Sequence, residues 1–200
     1  MKRISLKILL AFLFATNFLQ AQNNAPQLLK KPADWQFERF TLPPGFAPDF
    51  PYQGAEELRF SPGMFNKTSN EYFTYAFVAE LDNTTSFSQA DVKDYLVRYF
   101  KGLCSSTARN RNLVINVSKI SVAVEKNKTA LKNETIYDSV LNIFGVFADG
   151  APVKLNMEIQ ILPDSKTKKM YLFFIASPHE KTDAVWKNLY EIRKDFIATR

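Results

Sequence analysis

Four carboxylates surround one proline-rich stretch of this 200-residue chain. Glu38 precedes it, Asp49 lies inside it, and the adjacent Glu56 and Glu57 sit toward its end. Two acids held about 5 to 10 Å apart can hydrolyse a glycosidic bond, one as acid and the other as base or nucleophile. A carboxylate-dependent hydrolase of the cell envelope is therefore one reading of the stretch. In an extended backbone Glu56 shares a face with Leu58 and Phe60, and Glu57 shares the other with Arg59. Glu57 and Arg59 then form either an exposed ion pair, worth less than about 1 kcal/mol, or a pair that anchors a ligand.

The same stretch, residues 40–65, holds five of the ten prolines and three of the six glycines. Its loop aromatics Phe46, Phe50, Tyr52 and Phe65 have two available roles. They line a groove for a peptide, glycan or apolar ligand, or they plug the open end of a sheet. Tyr52, Glu57, Arg59 and Phe65 are thus the candidate ligand-binding residues, in a module without catalysis.

Other chemistries find little support. His179 is the single histidine and Cys104 the single cysteine, so a zinc site would need carboxylates for its remaining ligands. His179 reads as a loop histidine before a helix. Cys104 follows an apolar helical face and reads as a buried structural thiol. No G-x-x-x-x-G-K or G-x-G-x-x-G run occurs to cradle phosphates. No motif calls for a cofactor or a metal.

The elements that must position these groups follow from periodicity. Strands are expected at 35–42, 56–60, 72–81, 120–126, 136–147, 153–162 and 170–176. Val153, Leu155, Met157, Ile159 and Ile161 alternate strictly with Lys154, Asn156, Glu158 and Gln160, which predicts a half-exposed strand. "MYLFFIA" at 170–176 is apolar throughout and must be covered on both faces. A helix starts at the N-cap Ser88, with Val92, Tyr95, Leu96, Tyr99, Phe100 and Leu103 as its stripe; Gly102 and "CSSTARNRN" end it. A second helix, capped by Thr182, carries Val185, Trp186, Leu189, Ile192 and Phe196. Strands joined by turns and buried on both faces predict an α+β fold. It is a largely antiparallel sheet of about seven strands in the order βββαββββα, with a helix on each face as an α/β/α sandwich.

That order, with the "LPPGF" turn after the first strand, resembles the Mog1/PsbP-like α/β sandwich. Trp35, Glu38, "LPPGFAP" at 42–48, "EELRFSPGMF" at 56–65 and "YFTYAF" after it resemble an uncharacterised family of secreted bacterial proteins. The family brings no catalytic residues. The fold resemblance implies a binding or assembly factor rather than an enzyme.

Residues 1–21 read as a secretory signal peptide. Lys2, Arg3 and Lys7 precede a short apolar core at 8–14, and Ala21 stands at the cut. No cysteine near it offers a lipoprotein anchor. Residues 22–33 are expected as a flexible leader, and 34–200 as one domain. The full chain has 26 basic and 20 acidic residues, +6. Loss of the three basic residues in 1–21 leaves 23 against 20, +3, which gives little reason to expect a nucleic-acid partner. The expected protein is secreted or periplasmic and monomeric, with no membrane span once the signal is removed. Its partner would be a protein or a small molecule.

Overall fold

A computed structural model describes residues 27–199; the expected signal peptide lies outside them. Seven strands form one sheet. They are β1 (Gln36–Leu42), β2 (Gly54–Phe60), β3 (Tyr75–Leu81), β4 (Ser121–Lys126), β5 (Thr135–Phe144), β6 (Pro152–Asp164) and β7 (Lys169–Ser177). The spatial order is β1-β2-β3-β7-β6-β5-β4, and every neighbouring pair is antiparallel. Helix α1 (Gln89–Asn110) follows β3, and α2 (Ala184–Ala198) follows β7. The fold is α+β, with the two helices on opposite faces.

Alternation along the strands builds two cores. Tyr75, Phe77 and Leu81 of β3 and Leu172 and Phe174 of β7 join the α1 side chains Tyr95, Leu96, Tyr99 and Phe100. The Phe77 and Phe174 rings stack at 4.0 Å at the centre of this layer. Their neighbours Ala76, Val78, Phe173 and Ile175 face the other way, onto Trp186, Leu189, Ile192 and Phe196 of α2. Each fully buried Phe or Leu contributes about 1.5–3 kcal/mol of transfer free energy, so the doubly covered β3 and β7 anchor the fold.

Helix α1 starts where Ser88 and Asp91 form a capping box. The Ser88 amide donates to Asp91 Oδ2 at 2.7 Å, and the Asp91 amide donates to Ser88 Oγ at 3.3 Å. This satisfies two otherwise free helix donors. The helix does not stop at Gly102. It continues to Asn110 because Cys104, Thr107 and Ala108 keep the buried stripe going through the polar run. The N-cap of α2 is Asp183 rather than Thr182. Residues 72–74 and 145–147 belong to turns, with Phe73 at φ 52°.

Two further departures concern what covers the sheet. The polar face of β6 is exposed only at Lys154 among the four residues expected outward: Asn156, Glu158 and Gln160 are all buried. From residue 27 onward, the stretch expected as a leader is tied to the sheet, with Leu29 in the α2-side core. The packed unit therefore begins before residue 34.

Candidate functional site

The four sequence-selected residues do not meet. Glu57 and Arg59 point from β2 to the α2 side, since Glu57 stands opposite Val78 in the register. Tyr52 and Phe65 lie on the α1 side, before and after β2, at its two ends. Tyr52 packs its ring near Phe50, Phe87 and Tyr95. Burial, then Asp91 and Asp94, pushes its phenol up to about 12, so it stays neutral. Phe65, 45 % exposed, rests on Phe60 and Phe147. The other loop aromatics close the core: Phe46 meets Tyr99 edge-on at 5.0 Å, and Phe50 meets Tyr95 at 4.7 Å. The proline-rich stretch thus fills the space between β1, β2 and α1.

Glu57 and Arg59 are not an exposed ion pair. Glu57 is 0 % exposed and Arg59 5 %. The cation on Glu57 is Arg39, directly opposite on β1, whose Nη1 donates to Oε1 at 2.7 Å. Its other oxygen, Oε2, accepts from the amides of Leu28 and Leu29 at 2.7 and 2.8 Å. Arg59 donates to the Leu29 carbonyl through Nε and Nη2 at 3.1 and 2.9 Å, and to the Trp35 carbonyl through Nη1 at 3.0 Å. Its guanidinium also lies 4.7 Å from the Phe37 ring centroid. Charge-assisted bonds to main chain are about twice as strong as neutral ones, so the two side chains grip the segment before β1.

Glu56 faces the other way. It is 0 % exposed and has no cation; the Tyr99 and Tyr95 hydroxyls donate to it at 2.7 and 3.0 Å. Burial raises its carboxyl to about 8 against the pull of those two hydrogen bonds, with the Glu38 charge adding to the rise. Glu38 shares that face of the sheet but is exposed on the edge strand. Of the four acids considered for hydrolysis, Asp49 is exposed in the loop and Glu57 lies across the sheet from Glu56, so Glu56 and Glu57 cannot flank one bond.

The densest polar site lies between β5, β6 and α2, in residues that sequence reading assigned to solvent. Glu158 of β6 accepts from Lys181 Nζ at 2.8 Å, Tyr190 Oη at 3.0 Å and Arg193 Nη1 at 2.7 Å. Burial alone would raise its carboxyl; Lys181 and Arg193 together hold it below the ordinary value. Lys181 also bonds Asp138 of β5, which accepts from Asn127 Nδ2 at 3.1 Å. The His179 carbonyl takes bonds from Asn156 Nδ2 and Trp186 Nε1 at 3.0 and 2.9 Å, fixing the turn that brings Lys181 in.

Beside this network is an open recess of about 370 Å³, lined by Glu134, Gln160, Tyr190, Arg193, Lys194 and the end of α2 at Ile197 and Ala198. Gln160 is 3 % exposed, and its Oε1 has no hydrogen-bond partner. Its Nε2 makes a single long contact of 3.5 Å to Glu134. A buried amide oxygen without a donor costs about 1–3 kcal/mol. The sequence signal for this site was the i, i+3 and i+4 spacing of Tyr190, Arg193 and Lys194, which puts them on one helix face. Only the fold sets that face over Gln160.

Cys104 is buried as expected, its thiol raised to about 11 by desolvation. Among the described residues no three His, Cys, Asp or Glu side chains are placed to hold a metal ion, and no helix is long and apolar enough to cross a membrane. Comparison with protein-family models, with curated proteins and with solved structures finds no match for this chain.

Proposed function

We propose that this chain is an exported, non-enzymatic binding module that takes a small polar ligand in the recess beside Glu158. The observation that carries this reading is the recess edged by Tyr190, Arg193 and Glu134, with the unpartnered Gln160 Oε1 buried behind it. The recess is open to solvent, and a few fixed polar groups along it would orient a ligand. Arg193 and Tyr190 are held by Glu158, so the wall is rigid before anything binds, which lowers the entropy lost on association. The ligand that fits offers a hydrogen-bond donor to Glu134, and a small apolar edge to Ile197 and Ala198. The resemblance to a sandwich fold used mainly by binding and assembly factors points the same way.

Export rests on the charged start, apolar core and Ala21 of residues 1–21. The protein acts outside the inner membrane, in the periplasm or beyond it, as a monomer and without nucleic acid. The competing carboxylate hydrolase has its best acid in Glu56, whose carboxyl sits near 8, but Glu56 is closed off from solvent, while the acid that shares its sheet face, Glu38, stands exposed on the edge strand.

A thermal-shift screen of the mature chain against sugars, amino acids, dipeptides, lipids and metal salts tests the reading. At least one polar class is expected to raise the melting temperature saturably, and Gln160→Leu is expected to remove that rise while the fold persists. A screen with no saturable response, or a response unaltered in Gln160→Leu, would sink it.

A further inference from the structure

The α2 side of β1 and β2 contains a second recognition device, independent of the recess. Most buried ion pairs satisfy one another inside the sheet. Here Glu57 and Arg59 direct their remaining bonds to the main chain of a segment outside it: two adjacent amides and one carbonyl at Leu28 and Leu29, and a second carbonyl at Trp35. Main-chain bonds read a backbone without regard to side chains, and side-chain pockets add selectivity; here the backbone bends at Leu28, which turns two consecutive amides to one carboxylate oxygen. The pocket is present as well: Leu29, 2 % exposed, enters the α2-side cluster with Trp35, Val78, Trp186 and Leu189. Leu28 is only partly buried and Lys30 is exposed. On the far side, Lys31 makes only an exposed 3.6 Å ion pair with Asp195. The segment is thus held by Leu29 inside the cluster, by Leu28 packed against it, and by one charged clamp.

We propose that the groove filled by residues 27–30 is a binding site for a peptide that bends at a leucine pair, and that residues 27–30 are its detachable internal occupant. Once the segment leaves, Glu57 loses two of its three donors and Arg59 two of its three acceptor contacts. An incoming peptide restores both sets at once. Covalent attachment gives the internal segment an effective concentration in the millimolar range, so it excludes outside peptides until its leucine is lost or a tighter partner competes.

The test uses the full mature chain and a fluorescent peptide of its own sequence, APQLLKKP, read by anisotropy. Wild-type chain is expected to take it up weakly. Leu29→Ala, which empties the pocket but leaves the clamp, is expected to bind it at least tenfold more tightly. Adding Glu57→Gln should reverse that gain, and a peptide with Asp for its second leucine should not bind. A folded Leu29→Ala chain that takes up no peptide overturns the proposal, as does uptake of a second chain's segment in a dimer while the monomer stays unlabelled. Hydrogen exchange on the wild type decides the matter if Leu29→Ala does not fold. The Leu28 and Leu29 amides must exchange through a local opening, faster than the β3 and β7 amides. Exchange of both amides only by global unfolding would show a fixed segment and refute it.

Discussion

Tyr99 donates a 2.7 Å hydrogen bond to a Glu56 carboxyl that no water reaches and no cation balances. The native Glu56 pKa near 8 exceeds its ordinary 4.5, so the folded state keeps a proton that the unfolded state has lost. The stabilising effect is complete below pH 4.5 and is lost as pH rises through 8. Between those limits stability falls by at most about 1.4 kcal/mol per pH unit from this group. Urea unfolding at pH 5, 7 and 9 should show the wild-type midpoint dropping and Glu56→Gln nearly flat, with the variant more stable at pH 9. Parallel curves for the two chains would refute this assignment.

Arg59→Met should lower stability by about 1–3 kcal/mol, because it leaves the Leu29 and Trp35 carbonyls without their buried donor. Three hydrogen bonds go with the guanidinium, and Glu57 keeps Arg39 as its only cation. Denaturant midpoints at constant m-value provide the check. A loss below about 0.5 kcal/mol, typical of surface positions, would mean that the main-chain clamp contributes nothing.

Gly102 tests the docking of the proline-rich stretch on α1. A Cβ there would stand 2.6 Å from the Phe46 carbonyl oxygen and 2.9 Å from Ala47 Cβ. Alanine improves helix propensity by about 1 kcal/mol over glycine, so Gly102→Ala would stabilise a free helix surface. Against a packed backbone it should instead destabilise by about 1–3 kcal/mol. A raised melting temperature would show that 43–53 does not rest on α1.

Cys104 should be inert in the folded chain. Its thiol is buried and raised to about 11, while thiolate is the reactive form. Ellman's reagent at pH 8 should label it only at the rate of unfolding, and at once in denaturant. Rapid labelling of the native chain would contradict this.

The strand order and both helix faces were legible in the sequence because period-2 and period-3.6 patterns are local. Tyr95 and Tyr99, four apart, and Phe77, two from Tyr75, announce their faces without tertiary information. Cover by distant residues is not local. Glu158 and Gln160 look like the wet side of an alternating strand until α2, some thirty residues later, lays Tyr190 and Arg193 over them. Glu57 and Arg59 look outward for the same reason, because Leu28 and Leu29 carry no periodicity that marks them as a lid. The polar "CSSTARN" run reads as a helix stop because propensity sees its serines and threonine. Burial of Thr107 and Ala108 carries the helix on. The recess was hidden because its wall joins Glu134 and Gln160 to α2 residues some thirty or more positions away.

The central claim is binding at the recess, and a titration of the 15N-labelled mature chain with pooled sugars, amino acids and dipeptides tests it most directly. The account predicts that one class shifts the amides of Glu134, Gln160, Arg193 and Lys194 saturably while those of Leu28, Leu29 and Tyr52 stay in place. Shifts confined to the latter set, or no saturable shift in any pool, would contradict it.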